Sequence, residues 1–190
     1  MTSSVFAGET VALRPFEPDD LPALAAYLNQ PELAGRRCIP WSFPELPPLS
    51  QGQVQAIIQK WGEAESALHL AVVRLDGQEL VGHAECDWDW DPHCPSVSVV
   101  IAPAHQRHGY GSEVLSLLLR YLFEYTPAHV VSGWIAAWNQ PALQFAAHHG
   151  FQAAGRMRRA GMVQGRPFDM IITDLLRAEW QQAGGRPHAS

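Results

Sequence analysis

Two stretches of this chain combine residue types and spacings that suit chemistry. The first is Gln106-Arg107-His108-Gly109-Tyr110-Gly111, with Ser112 behind it. It stands between an apolar run, Val97 to Ile101, and a helical one, Val114 to Tyr125. The order strand, glycine-bearing loop, helix builds an anion site. The first amides of a helix have no acceptor inside it, and the helix dipole places partial positive charge there. Glycines let the backbone approach a phosphate and take up positive φ. The segment suits a pyrophosphate, with Arg107 as a charged partner. The same order also serves as a plain structural turn, and it lacks both the G-x-G-x-x-G and the G-K-[ST] signatures.

The second stretch is Glu85-Cys86-Asp87-Trp88-Asp89-Trp90-Asp91, where acids occupy alternate positions. On an extended strand Glu85, Asp87, Asp89 and Asp91 point one way and Cys86, Trp88 and Trp90 the other. One reading is a solvated face opposite a buried aromatic one. The other is an acidic wall that attracts a cationic amine and supplies a base. Glu85 is the first choice as base, because it lies within the expected sheet, and Asp87 is the second. His83 or His105 could serve near neutral pH, although each is also a plausible structural histidine. Arg156, Arg158 and Arg159 could grip a carboxylate or phosphate, or protect an exposed edge strand from aggregation. Cys86, His93 and Cys94 match no standard zinc spacing, so no metal is expected.

The bulk numbers set the frame. The chain has 190 residues, 47% hydrophobic and 17% charged, which suits one globular domain with a sizeable core. We expect that domain over residues 1–180, with 181–190 as a flexible C-terminal tail. A net charge of −6 argues against nucleic-acid binding as a main role. The odd cysteine count and the absence of C-x-x-C fit a reduced, cytoplasmic setting. The N-terminus does not read as a signal peptide, and no apolar run is long enough for a membrane span.

The elements that must position these residues follow from pattern. Val11 to Phe16 reads as a strand, and Asp19 or Asp20 as the cap of a helix from Leu21 to Leu28. Residues 31–49 hold five prolines, which exclude a continuous helix or central strand. That long loop is either a binding element or a cover over the core. Gln53 to Gly62 reads as a second helix. Leu68 to Leu75 and Leu80 to Trp88 form a hairpin around the Asp76-Gly77 turn. Val97 to Ile101 is the next strand, Gly109 to Tyr125 the central helix and Val130 to Ala136 another strand. Asn139-Gln140-Pro141 starts a helix that stops at Gly150. Phe151 to Ala160 and Phe168 to Leu176 complete a mixed α/β (α+β) sheet.

In this order the motifs resemble the GNAT superfamily of acyl-CoA-dependent N-acetyltransferases, over nearly the whole chain. Gln106-x-x-Gly109-x-Gly111 is similar to its pyrophosphate loop. Asn139-x-x-Ala142, then His149-Gly150-Phe151, is similar to a later motif. Leu13-Arg14-Pro15-Phe16 with Asp19-Asp20-Leu21 resembles the opening of the branch that acetylates ribosomal-protein N-termini. Gly165-x-x-x-Asp169 and Leu175-Leu176-x-x-Glu179-Trp180 resemble that branch's close.

The resemblance implies a mostly antiparallel sheet of about six to seven strands, flanked by about four helices and splayed at its central strand. It implies acetyl-CoA as cosubstrate, with the pyrophosphate on the amides from Gln106 through Arg107, His108, Gly109, Tyr110 and Gly111 to Ser112. The pantetheine arm would lie along the central strand. A backbone N–H among Val99, Val100 and Ile101 would polarise the thioester carbonyl, and Asn139 would touch the arm. Asn139 also reads as a plain helix cap.

Acetyl transfer to an amine needs a base, because a lysine-type ammonium has a pKa near ~10.4. Here the chain departs from the family. Ser96 stands where a glutamate is common, Ala146 where many relatives have an acidic tyrosine, and Ala142 where the ribosomal branch often has serine. The catalytic candidates are therefore Glu85, Asp87 and Ser96. The leading reading is acetyl transfer to a primary amine, either a protein N-terminus or a small cationic metabolite or antibiotic. A non-catalytic acyl-CoA-binding module is the competing class. Relatives include monomers and homodimers, so oligomeric state stays open.

Overall fold

The computed structural model describes residues 6–33, 48–88 and 91–185. The expected proline-rich loop lies almost wholly outside these residues, as do Asp89 and Trp90. The chain divides into two compact units. The first holds the chain up to Asp87 together with Ser98–Leu118, and the second holds Trp88–Val97 and the chain from Leu119 onward.

In the first unit, β1 (Val11–Arg14) leads to α1 (Leu21–Leu28) and then to α2 (Gln51–Glu63). Ser50 caps α2: its hydroxyl accepts from the Gln53 amide, and the Gln53 side chain reaches back to the Ser50 amide. Asp20 stands at the N-cap of α1, but its carboxylate makes no cap bond there. It instead accepts both arms of the Arg14 guanidinium, at 2.7 and 2.8 Å, and the Glu17 amide at 2.8 Å. Burial alone would raise this carboxyl's pKa. The Arg14 and Glu17 hydrogen bonds outweigh it and hold the group below its usual range.

The expected hairpin is present. β2 (Ala67–Arg74) pairs antiparallel with β3 (Leu80–Asp87), and β1 pairs antiparallel with β2. Helices α1 and α2 cover one face of these strands. Leu24, Tyr27, Leu28 and Val54 pack there with Ala71, Val73, Leu80, Val100 and Ala102. The acidic alternation is shorter than the sequence suggests, because β3 ends at Asp87. Asp91 sits in a turn, where its carboxylate accepts from the His93 amide at 2.7 Å. Glu85 faces no solvent: at 5% exposure it is a buried acid. Cys86 on the opposite face is also buried, and burial pushes its thiol well above the ordinary range. Both faces of this strand are therefore covered, and the expectation of one solvated face fails.

β4 (Ser96–Ile101) follows, and α3 (Tyr110–Tyr125) comes after the glycine loop. Ala102 donates its amide to Val81 O at 2.8 Å. Gly82 lies against Val100 and Ile101, so β3 and β4 run antiparallel. A Cβ on Gly82 would stand 2.1 Å from Val100 O. We expect Gly82→Ala to destabilise the fold by about 2 kcal/mol or more, because a strand backbone cannot give way as a flexible side chain does. A thermal melt against the wild type checks this.

In the second unit, β5 (Val130–Ala136), α4 (Gln140–His148), β6 (Gln152–Val163), β7 (Arg166–Leu176) and α5 (Arg177–Gln182) succeed one another. Pro141 lies in the first turn of α4, and Gly150 ends that segment at φ +88°. β7 pairs antiparallel with both β5 and β6. β5 meets β4 in parallel through one register pair, Ser96↔Ser132. The sheet order is β1-β2-β3-β4-β5-β7-β6, seven strands and mostly antiparallel, as the resemblance implied.

Candidate functional site

The loop between β4 and α3 is built for close backbone approach. Arg107 adopts φ +67° and Gly109 φ +83°, both in the left-handed region. Among the described residues, chain neighbours aside, no heavy atom lies within 4 Å of where a Cβ on Gly109 would stand. Gln106 does not aim its side chain into this space. Its Nε2 donates to Ile101 O at 2.9 Å, bracing the loop against the end of β4. The first turn of α3 follows at once, with its amides and the positive end of a 16-residue helix dipole. His108 stacks on Tyr110 at 5.6 Å and so orders the loop's outer side. Glu113, also in the first turn, accepts from the amides of Glu9 and Thr10 and from the Thr10 hydroxyl. It ties the N-terminal segment to this helix end.

β4 presents its backbone in two directions. The Ala102 amide and the Val100 carbonyl point toward β3. By strand alternation Val99 and Ile101 point away from it, and Ile101 O receives Gln106 from that side. The expected donor amide therefore narrows to Val99 or Ile101, since the Val100 backbone is turned to β3.

Beside this strand, on the face covered by α1 and α2, lies a buried polar cluster. The Tyr27 hydroxyl and His83 Nδ1 form a 2.7 Å hydrogen bond. The Trp61 ring stacks on His69 at 4.9 Å and leans on His83 at 5.4 Å. His69 is the cross-strand partner of Glu85, with Nδ1 and Oε2 3.8 Å apart. Burial lowers the pKa of His69 to about 4, against a smaller upward pull from Asp87, so the ring is neutral at pH 7. The pair is a neutral imidazole beside a buried carboxyl group. Because β3 and β4 are antiparallel, His83 and Glu85 extend from Gly82 along β4 toward Ser98. Asp87 ends the same strand face and is half-buried.

The other expected residues fall in the second unit. Ser96 is half-buried at the start of β4. Asn139 occupies the N-cap of α4, as the cap reading expects, but its side chain makes no capping bond. Its Oδ1 is buried without a hydrogen-bond partner among the described residues. Arg156 pairs with Asp169 at 2.6 Å, and the Arg159 amide donates to Asp169 at 2.8 Å, along a largely exposed β6. The arginine cluster thus fits the edge-strand reading. In the first unit, His105 is 3.5 Å from Glu79. Among the described residues, no group of three or more His, Cys, Asp or Glu could hold a metal ion, and no helix is long and apolar enough to cross a membrane.

These features fit acetyl-CoA. The left-handed loop and the α3 amides suit its pyrophosphate, and an amide of Val99 or Ile101 suits the thioester carbonyl. When bound it supplies an activated acetyl group.

Sequence reasoning missed His69, Trp61 and Tyr27. A signal for His69 existed, because the Asp76-Gly77 turn fixes the hairpin and the hairpin sets His69 across from Glu85. No local pattern joins Trp61 or Tyr27 to them.

Comparison with known proteins agrees with this fold. The family model for the acetyltransferase (GNAT) domain matches residues 10–152. A GNAT-family acetyltransferase from Bacillus anthracis aligns with TM-score 0.78 at 20% identity, over 92% of this chain and 99% of that one. The spermidine N-acetyltransferase of Vibrio cholerae, solved with CoA and spermine, aligns with TM-score 0.74 at 20% identity, over 90% and 98%. A GCN5-related N-acetyltransferase from Brucella melitensis gives 0.76 at 21% identity, over 96% and 85%. Structural likeness at these identities speaks for the fold, and the family match covers most of the chain. The chain belongs to the acetyltransferase (GNAT) domain family and is an acetyl-CoA-dependent N-acetyltransferase.

Proposed function

We propose that this enzyme acetylates a small cationic primary amine, with Glu85 as the group that takes the proton from its ammonium. The observation that carries this reading is the buried carboxyl of Glu85 on the strand beside β4, with Asp87 on the same face. Asp87, half-buried at the end of that face, meets an incoming ammonium, and Glu85 behind it takes the proton. Once neutral, the amine attacks the thioester carbonyl. An amide of Val99 or Ile101 stabilises the oxyanion, and the carbon–sulfur bond breaks as the proton left on the attacking nitrogen passes to the departing CoA sulfur. Much of the rate comes from holding amine and thioester together. The fold shared with a spermidine N-acetyltransferase supports a polyamine-like acceptor.

A second reading, transfer to a protein N-terminus, is favoured by the opening Leu13-Arg14-Pro15-Phe16 and by the closing motif from Gly165 to Trp180. A mass-shift screen with acetyl-CoA, polyamines, aminoglycosides and N-terminal peptides separates the two. We expect acetylated polyamine or aminoglycoside products. Products from the peptides alone would transfer the assignment to protein N-termini.

A further inference from the structure

We propose that the β6–β7 hairpin, residues 152–169, is a docking surface for an acidic segment of a partner protein that carries apolar side chains among its carboxylates. The surface belongs to the second unit and serves whichever amine receives the acetyl group.

Charge sets this segment apart. The whole chain carries a net −6, yet residues 152–169 hold Arg156, Arg158, Arg159 and Arg166 against a single acid, Asp169. β6 is exposed along most of its length. Asp169 takes Arg156 at 2.6 Å. Among the described residues, the guanidiniums of Arg158, Arg159 and Arg166 make no ion pair or hydrogen bond. Such planar forks meet carboxylates through two parallel hydrogen bonds.

The arginines are also held in a built geometry. Met157 pairs with Met170 and Gly161 with Phe168, so Arg158, Arg159 and Ala160 bulge out opposite Asp169 alone. Arg159 takes φ +51°, a costly conformation for a residue with a side chain. Asp169 fastens the bulge. Its carboxylate accepts from the Arg159 amide at 2.8 Å, and its backbone carbonyl accepts from the Ala137 amide at 2.8 Å. At the far end of the bulge, a Cβ on Gly161 would stand 2.3 Å from the Phe168 ring, so the backbone passes close over that ring. Protection of a sheet edge needs charge, which any position on the strand supplies. It does not call for a left-handed arginine pinned by an aspartate.

The apolar exposure selects the partner. Met157 is 45% exposed and Met162 63%, on the same hairpin as the arginines. Protein–protein interfaces are enriched in Met and Arg and depleted in Lys and acids, and methionine adapts to irregular surfaces. Single-stranded nucleic acids and membrane surfaces call for exposed aromatic side chains. The one aromatic of this segment, Phe168, is buried. A twofold contact between hairpins of two copies would bring like charges together.

The test titrates the full-length protein with a labelled synthetic peptide of alternating glutamate and leucine, read by fluorescence anisotropy at low ionic strength and at about 0.5 M salt. We expect saturable binding that weakens with salt and is lost with the glutamine–leucine analogue. R158E/R159E/R166E should weaken it at least ~10-fold, and M157S/M162S about threefold. K60E, a charge reversal on α2, should leave it unchanged. D169A separates a built surface from charge alone. Removing an acid makes the hairpin more positive, so charge alone predicts tighter binding. Loss of the pin predicts binding about threefold weaker. Tighter binding by D169A overturns the proposal, as does wild-type affinity in folded R158E/R159E/R166E or no binding of the peptide at all. Should D169A fail to fold, the arginine and methionine variants decide. Preferential binding of a single-stranded RNA or of phosphatidylglycerol vesicles also overturns it, as does a wild-type dimer that R158E/R159E/R166E dissolves.

Discussion

Glu85→Gln is expected to lower kcat by about 10²- to 10⁴-fold, the usual contribution of a positioned general base. Acetyl-CoA affinity should change little. Glutamine keeps the volume and much of the hydrogen bonding of a side chain that is 5% exposed, so the fold should survive. What is lost is the ability to accept a proton. The loss should be largest at low pH, where nearly all the amine is ammonium. It should shrink as pH rises toward the amine's own pKa, near ~10.4 for a lysine-like group, because free amine then reaches the thioester without help. A constant deficit across pH would indicate a merely structural effect. Steady-state rates at several pH values, with the affinity for acetyl-CoA measured in parallel, give the answer.

Gly109→Asp should weaken CoA binding by about 100-fold or more. Two effects act together. Gly109 holds φ +83°, where a side chain costs on the order of 1–2 kcal/mol. Among the described residues, chain neighbours aside, nothing stands within 4 Å of its would-be Cβ, so the strain unfolds nothing by itself. The added carboxylate occupies the space assigned to a pyrophosphate and repels it, which forfeits charge-assisted hydrogen bonds. Gly109→Ala provides the control, because it carries the backbone strain and a small volume without the charge. Calorimetric titration with CoA should rank wild type, Gly109→Ala and Gly109→Asp in falling affinity. Equal affinities in folded proteins would remove the loop from the donor site.

Much of this molecule was legible in the chain because its signals are local. Asp76-Gly77 marked the β2–β3 hairpin, Gly150 marked the end of α4, and Gln106 to Gly111 marked the loop that leads into α3. Each depends on backbone conformations that few residue types adopt. The misreadings came from tertiary context. Asp20 looked like a cap, but Arg14, six residues earlier in the chain, claims its carboxylate. Alternation in Glu85 to Asp91 assumed one continuous strand, whereas β3 stops at Asp87 and both of its faces are covered. Periodicity reports which residues share a face, but it cannot say whether a helix lies over that face. The site was legible to the same degree. The donor loop is one contiguous segment. The Glu85 surroundings draw on α1, α2, β2 and β3, and only the fold brings Tyr27, Trp61 and His69 together.

Amide-resolved NMR on addition of CoA reads directly where this enzyme holds its donor. The largest shifts are expected at the amides from Arg107 to Ser112 and at Val99 and Ile101, all saturating together. Saturable binding that leaves the Gln106 to Gly111 loop unperturbed would contradict this placement.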